Sequence, residues 1–127
     1  MSQFEDLILK SNLQKQPQRL LFLFAKSTSM LKDGQTSYQS GVINPVMCVD
    51  KLPSELTSFA QLVEEADSYS HLWNFIFVSS FSGSNGKVPS SDDASVYLER
   101  MTNDLLTGKD LSKYIVWNRN QETIIIS

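Results

Sequence analysis

Apolar runs of strand length alternate along this chain with segments in which apolar residues recur at helical spacing. Residues 19–25, RLLFLFA, are almost continuously apolar, which is typical of a strand covered on both faces. Three further segments, 45–50 (PVMCVD), 71–80 (HLWNFIFVSS) and 114–118 (YIVWN), also predict strands, and 122–127 (ETIIIS) predicts a fifth. The last two are separated by a short polar turn and are expected to form a hairpin.

Three other segments carry apolar residues at the spacing of an amphipathic helix. The first covers residues 3–14. The second is preceded by Ser58, which forms a capping box with Gln61, and the third by Ser90, which forms one with Asp93. The pattern therefore predicts helices before the first strand, between the second and third, and between the third and fourth.

Strands that alternate with helices favour right-handed βαβ crossovers and a mainly parallel sheet. We therefore predict one α/β domain over residues 1–127. Its expected fold is a three-layer sandwich with helices on both faces of a mostly parallel sheet of about five strands, to which the C-terminal hairpin adds an antiparallel strand. The polar segment 26–44 is long for a loop, and we expect a short helix around 29–38 or a partly mobile segment.

Composition and charge narrow the class of protein. The 127 residues are 41% hydrophobic and 20% charged, which is typical of one globular domain with its own core. The longest apolar stretch, 20–25, is far shorter than the roughly 20 residues that span a bilayer. The first residues include Glu5 and Asp6 and lack the basic region of a signal peptide. We expect a cytoplasmic protein without a membrane partner.

The charged and metal-binding residues exclude several kinds of site. Net charge is −3 and the basic residues are spread singly, so we expect no nucleic-acid partner. Cys48 is the only cysteine and His71 the only histidine, which excludes a disulfide within the chain, a redox cysteine pair and a multi-histidine or cysteine-rich metal centre. We expect no catalytic residues, no cofactor and no metal. Cys48 is expected to pack as a small apolar side chain and His71 to lie at the surface.

The segment 79–93, SSFSGSNGKVPSSDD, resembles a phosphate-binding loop in the order of its parts. A strand, glycines, a lysine and a helix follow one another. The spacing from Gly83 to Gly86 is too short for a Walker A loop, and Val88 follows Lys87 where a hydroxyl is needed. The acidic residues that begin the next helix would also repel a phosphate. We therefore predict a structural or interaction loop.

Ligands of open α/β sheets bind beyond the carboxyl ends of parallel strands. If the predicted strands are parallel, the polar residues after them converge on one edge of the sheet. The candidate rim for a ligand or partner consists of Asp50, Lys51, Ser80, Ser82, Lys87 and Arg119. The alternative interpretation is that these polar side chains are simply hydrated where the strands turn.

Three stretches together resemble a known family: QPQRLLFLFA, PVMCVDKLPSEL leading into SFAQLVEEA, and WNFIFVSSFSGSNGKVPSS. They are similar to a family of short proteobacterial proteins, some of which are labelled "ribonucleotide reductase subunit alpha". The large subunits of ribonucleotide reductase are many times longer and use a cysteine radical site together with a reducing cysteine pair. A chain of 127 residues with one cysteine cannot be that catalytic subunit. The resemblance implies no catalytic residue.

The absence of a catalytic set in the sequence favours a non-catalytic α/β domain that acts by protein–protein interaction, with a protein partner or by self-association. The alternative is a small-molecule or nucleotide-binding protein with its site at the candidate rim. Such a protein would be a weak enzyme or an accessory protein of ribonucleotide reductase.

Overall fold

Helices and strands alternate along the computed structural model. It describes residues 3–14, 16–27, 37–38, 43–83, 85–87, 89–107 and 114–126. The helices are α1 (Gln3–Asn12), α2 (Phe59–Asp67) and α3 (Ser91–Thr107), with a short 3₁₀ turn at Pro53–Glu55. The strands are β1 (Gln18–Ser27), β2 (Ser37–Tyr38), β3 (Ile43–Lys51), β4 (Phe75–Ser82), β5 (Ile115–Asn118) and β6 (Ile125–Ile126).

Four strands form the main sheet in the order β3-β1-β4-β5. Every neighbouring pair in it is antiparallel. In the central strand β1, Leu21 lies opposite Asp50 of β3 and Ser79 of β4. The short strands β2 and β6 pair in parallel as a separate two-stranded sheet. The predicted fold class, a three-layer sandwich around a mostly parallel sheet of about five strands, is therefore wrong, although the chain is an α/β domain.

The prediction of a parallel sheet fails because strand direction depends on which strands become neighbours. β3 and β4 are parallel to each other and are joined through α2, but β1 lies between them and runs against both. α3 joins β4 to its own neighbour β5, which is antiparallel. The apolar run of β1 indicates burial on both faces, and helices over both faces provide this burial in an antiparallel sheet as well as in a parallel one.

Alternate residues of β1 enter two separate cores. On the side of α1 and α2 the core is rich in aromatic rings and comprises Phe4, Leu20, Phe22, Phe24, Leu62, Ala66, Trp73, Ile76, Val78 and Trp117. On the side of α3 it comprises Leu21, Leu23, Ala25, Phe75, Phe77, Ala94, Leu98, Met101, Leu105, Val116 and Ile124. Burial of a large apolar side chain contributes about 1.5–3 kcal/mol, so these two cores hold the helices to the sheet.

The predicted helix starts are confirmed in the structure. The Ser58 hydroxyl accepts a hydrogen bond from the Gln61 N–H at 3.0 Å, and the Ser90 hydroxyl accepts one from the Asp93 N–H at 3.0 Å. Each serine thereby satisfies an amide that the first helical turn leaves free. None of the described helices has the length and apolar character that crossing a membrane requires.

The C-terminal hairpin forms only in part. The Asn118 N–H donates to the Glu122 carbonyl at 3.0 Å and the Ile124 N–H to the Val116 carbonyl at 2.9 Å, which closes the predicted turn. The chain then leaves β5, and β6 pairs with β2 instead. Most of the helix predicted around 29–38 falls outside the described residues, and its last two positions belong to β2.

Candidate functional site

The structure brings four of the candidate rim residues to one end of the main sheet, where β3 and β4 finish. β3 and β4 run in the same direction, so Asp50, Lys51, Ser80 and Ser82 all lie near their carboxyl ends. Arg119 follows β5, which is antiparallel to β4, and therefore lies at the opposite end of the sheet. The expectation that Arg119 joins the rim depended on a parallel fourth strand and does not hold in this topology.

Asp50 and Lys51 point to opposite faces of the sheet because side chains alternate along a strand. The Lys51 Nζ lies 2.9 Å from Glu65 of α2. Asp50 faces α3 and forms an ion pair with Arg19 at the start of β1. Its carboxylate also accepts a hydrogen bond from the Ser91 hydroxyl at 2.7 Å. Both residues are occupied by contacts within the fold.

Arg19 is not among the candidate rim residues, yet it makes several contacts at this end of the sheet. Its exposed fraction is only 9%, and its Nε donates to the Pro89 carbonyl at 2.7 Å. Together with the ion pair to Asp50, this contact fastens the start of β1 to the end of β3 and to the segment before α3. The available signal was strand alternation, which places Arg19 on the same face as Leu21 and Leu23.

Arg119 is enclosed by a dense set of contacts. Its guanidinium makes two hydrogen bonds to the Asp67 carboxylate, at 3.0 and 3.1 Å, and others to the main-chain carbonyls of Trp73 and His71. It also lies 3.9 Å from the centroid of the Trp73 ring. The hydrogen bonds from Arg119 lower the pKa of Asp67 below its ordinary value. This cluster fastens the turn after β5 to the end of α2.

The loop after β4 uses its glycines for a tight turn. Asn85 and Gly86 have φ angles of 53° and 75°, a left-handed conformation that asparagine and glycine tolerate best. The Gly83 N–H donates to the Pro17 carbonyl at 2.8 Å. A Cβ at Gly83 would lie 1.8 Å from the Lys87 carbonyl oxygen, so the chain approaches itself too closely there for any side chain. The glycines thus shape the turn.

A groove runs between α3 and the second half of β4. β5 pairs with β4 only as far as Val78, so the following residues, 79–82, have β1 on one side and no described strand on the other. Two cavities of about 460 and 240 Å³ lie along this half of the strand, and Tyr97 lines both. We call this feature the β4–α3 groove, and its walls include Ser79, Ser80, Phe81, Ser82, Lys87, Asp93, Val96, Tyr97, Arg100 and Tyr114.

Main-chain groups near the end of β4 point sideways in the plane of the sheet, next to this groove. The main-chain groups of Val116 and Asn118 form hydrogen bonds with the segment after β5. The other two residues of β5 therefore direct their main-chain groups toward β4, where they lie opposite Ile76 and Val78. Main-chain groups of a strand alternate in direction. The N–H and C=O groups of residues 80 and 82 therefore point to the same side, beyond the first residue of β5, and no described residue pairs with them there.

Aromatic and cationic side chains line the groove. The rings of Phe81 and Tyr97 stack with centroids 4.5 Å apart and planes at 21°. The Arg100 guanidinium lies 5.4 Å from the Tyr97 centroid. Within the described ranges, neither Arg100 nor Lys87 forms an ion pair. The side chain of Val96 is 58% exposed. The groove thus combines an apolar stack, hydroxyl groups and two cations.

The sequence indicated only part of this groove. Ser80, Ser82 and Lys87 belong to the candidate rim, whereas Tyr97 and Arg100 do not. Tyr97 is 40% exposed, and Arg100 is three positions further along the helix, on the same surface. That spacing was the signal available in the sequence.

A second, mainly apolar cavity of about 290 Å³ lies between β3 and α2 and is bordered by Cys48. Cys48 was expected to pack as a small apolar side chain, but β3 is an edge strand and Cys48 is exposed. Partial burial of the thiol, and then the negative charge of Asp50, raise its pKa. A thiol held protonated at neutral pH is a poor nucleophile.

Among the residues that the structure describes, no group of three His, Cys, Asp or Glu side chains is placed to hold a metal ion. Comparisons of the chain with protein-family models, curated proteins and solved structures found no match. The resemblance to short proteobacterial proteins therefore rests on the quoted segments alone. The geometry of the β4–α3 groove is the remaining guide to function.

Proposed function

We propose that this protein is a non-catalytic interaction domain that binds an extended segment of a protein partner in the β4–α3 groove. The observation that carries the proposal is the outward direction of the main-chain groups at residues 80 and 82. An extended peptide can add to such an edge as a further strand. The edge from residue 79 to residue 83 is about 13 Å long at roughly 3.3 Å per residue, which accommodates about four residues of a peptide.

The side chains of the groove also suit a protein segment. Tyrosine and arginine are enriched where protein interfaces are strongest, and Tyr97 and Arg100 lie side by side at the centre of the groove. The stacked pair of Phe81 and Tyr97 offers an apolar surface for one peptide side chain.

The alternative, a nucleotide or other small anion bound near Lys87, has less support. Asp93 lines the same 460 Å³ cavity as Lys87, so the cation is opposed by a carboxylate. The N–H of Asp93 is already bonded to the Ser90 hydroxyl, which leaves one fewer free amide at the start of α3 for an anion.

Site-specific cross-linking in cells tests where a partner lies. A benzoylphenylalanine at position 96, on the groove wall, is expected to give a defined cross-linked partner. The matched control is the same group at Leu9 of α1, which is 46% exposed and lies on the helix packed against the other face. A partner captured equally at both positions, or at neither, contradicts the proposal.

Peptides that tile the cross-linked region then test the mode of binding. In fluorescence anisotropy, Ser80→Pro is expected to weaken binding about tenfold, because proline removes an outward N–H. Ser80→Ala keeps that N–H and is expected to bind as the wild type does. Equal affinity of both variants would exclude strand addition at β4. A nucleotide-induced rise in Tm that Lys87→Ala abolishes would instead support the small-molecule alternative.

A further inference from the structure

The smaller cavity of the β4–α3 groove differs in charge from the larger one. The 460 Å³ cavity has both Lys87 and Asp93 in its wall. Among the described residues that line the 240 Å³ cavity, Arg100 is the charged one, and the others are hydroxyl-bearing or apolar. A side chain that enters the smaller cavity therefore meets a positive charge, and no described carboxylate lines this cavity.

The structure records no ion pair between Arg100 and a described acidic residue of α3. Asp104 lies one helical turn further on, but it is buried and accepts a hydrogen bond from the Tyr114 hydroxyl at 2.7 Å. No described residue forms an ion pair with Arg100. No described residue therefore competes for these guanidinium donors as an ion-pair partner, and a guanidinium can bind one carboxylate through two parallel hydrogen bonds.

Tyr97 orients Arg100 toward the groove. The guanidinium lies 5.4 Å from the centroid of the Tyr97 ring, within the range of a cation–π contact. The same ring also stacks on Phe81 of β4. Because the ring is held between strand and helix, the arginine is partly ordered before any ligand arrives, which reduces the entropy lost on binding.

We infer that the 240 Å³ cavity is a specificity pocket that receives an aspartate or glutamate side chain of the bound partner segment and pairs it with Arg100. This inference rests on the proposed function, since it names the partner chemistry that the β4–α3 groove selects. The partner segment is accordingly extended and carries an acidic residue at the position next to Tyr97 and Arg100.

Selection from a phage library of random peptides tests the pocket. Peptides selected by the wild-type protein are expected to share an acidic residue at one position. Arg100→Gln is expected to weaken their binding about tenfold or more. Arg100→Glu is expected to select lysine or arginine at that position. Lys10→Gln is the matched control, because Lys10 is an exposed cation on α1, and it is expected to leave affinity unchanged.

The outcomes separate this inference from the proposed function. Selected peptides that lose affinity with Ser80→Pro but show no acidic preference, or that bind Arg100→Glu equally well, exclude the acidic specificity pocket. Either result leaves the proposed binding in the β4–α3 groove in place. If no selected peptide responds to Ser80→Pro or to Arg100→Gln, both are wrong. If Lys10→Gln weakens binding as much as Arg100→Gln, general charge attraction explains the preference and the pocket is excluded.

Discussion

Arg119 and Arg100 each lie beside an aromatic ring, at opposite ends of the sheet, and differ in what else they contact. Arg119 stacks on Trp73 and donates to the Asp67 carboxylate and to two main-chain carbonyls. Arg100 lies over Tyr97 and, among the described residues, has no carboxylate partner. The fold uses Nε, Nη1 and Nη2 of Arg119 as hydrogen-bond donors, whereas no described residue forms an ion pair with Arg100.

The difference lies in the number of contacts that the described fold makes with each guanidinium. Hydrogen-bond donors that are already bonded within the protein stabilise the fold and are not free to bind a ligand. Open donors beside an ordered ring contribute little to folding and remain available for binding. Arg19 extends the comparison, because it lies at the same edge of the sheet as the groove but is closed by Asp50 and Pro89.

The largest expected effect is on Arg19. Arg19→Met should lower the free energy of unfolding by about 3 kcal/mol, because it leaves the largely buried carboxylate of Asp50 without its charged partner. Urea unfolding followed by tryptophan fluorescence measures the change. The double variant Arg19→Met with Asp50→Leu should regain much of the loss. A loss below about 1 kcal/mol would show that the ion pair is unimportant for stability.

The direct comparison of the two arginines comes next. Arg119→Met should cost about 2 kcal/mol, since it removes a paired carboxylate contact and a ring contact at a partly exposed site. Arg100→Met should change stability by less than about 0.5 kcal/mol, as substitutions of exposed residues usually do. Both values come from chemical denaturation. Equal losses in the two variants would remove the distinction between a closed and an open arginine.

The pH dependence of stability tests the Asp67 contact without removing Arg119. The pKa of Asp67 is lowered in the folded protein, so its contribution is complete well above the ordinary value of about 3.8 and is lost as the pH falls through the folded value. The difference in unfolding free energy between wild type and Asp67→Asn should therefore shrink as the pH falls below about 4. A difference that grows between about pH 4 and about pH 2 contradicts this assignment.

Among the variants expected to lose stability, the smallest loss concerns the turn beside the groove. Gly86→Ala should cost about 1 kcal/mol, because alanine disfavours the positive φ there, whereas no atom lies within 4 Å of the added methyl group. Thermal unfolding measures the cost. If the groove is a separate binding surface, peptide affinity should fall much less than with Arg100→Gln. A comparable fall would indicate that the turn itself contacts the peptide.

The elements of this fold could be predicted from the sequence because their signals are local. The periodicity of α1, the apolar run of β1 and the capping serines before α2 and α3 all depend on residues close together in the chain. Strand direction does not. It depends on β1 entering between β3 and β4, a long-range choice that helix–strand alternation leaves open, and the prediction of a parallel sheet was wrong for that reason.

The candidate site was predictable to the same degree. Asp50, Lys51, Ser80 and Ser82 share an edge because β3 and β4 happen to be parallel, and Lys87 follows β4 closely. Arg119 was predicted to lie at the rim because β5 was predicted to be parallel to β4, and β5 is antiparallel to it. The contacts of Arg19 and the open side of β4 arise from strand register and from the short length of β5, which no local pattern reports.

The central position of β1 sets the order in which this protein can fold during synthesis. Gln18 of β1 pairs with Ser82, 64 residues later. At translation rates of 5–20 residues per second, one edge of β1 waits about 3–13 s for its partner. The charged residues Arg19 and Lys26 flank the apolar run, which is the position that gatekeeper residues occupy beside aggregation-prone strands. Arg19 therefore has two settings: beside an unpaired apolar strand until Ser82 is synthesised, and in the ion pair with Asp50 in the finished fold.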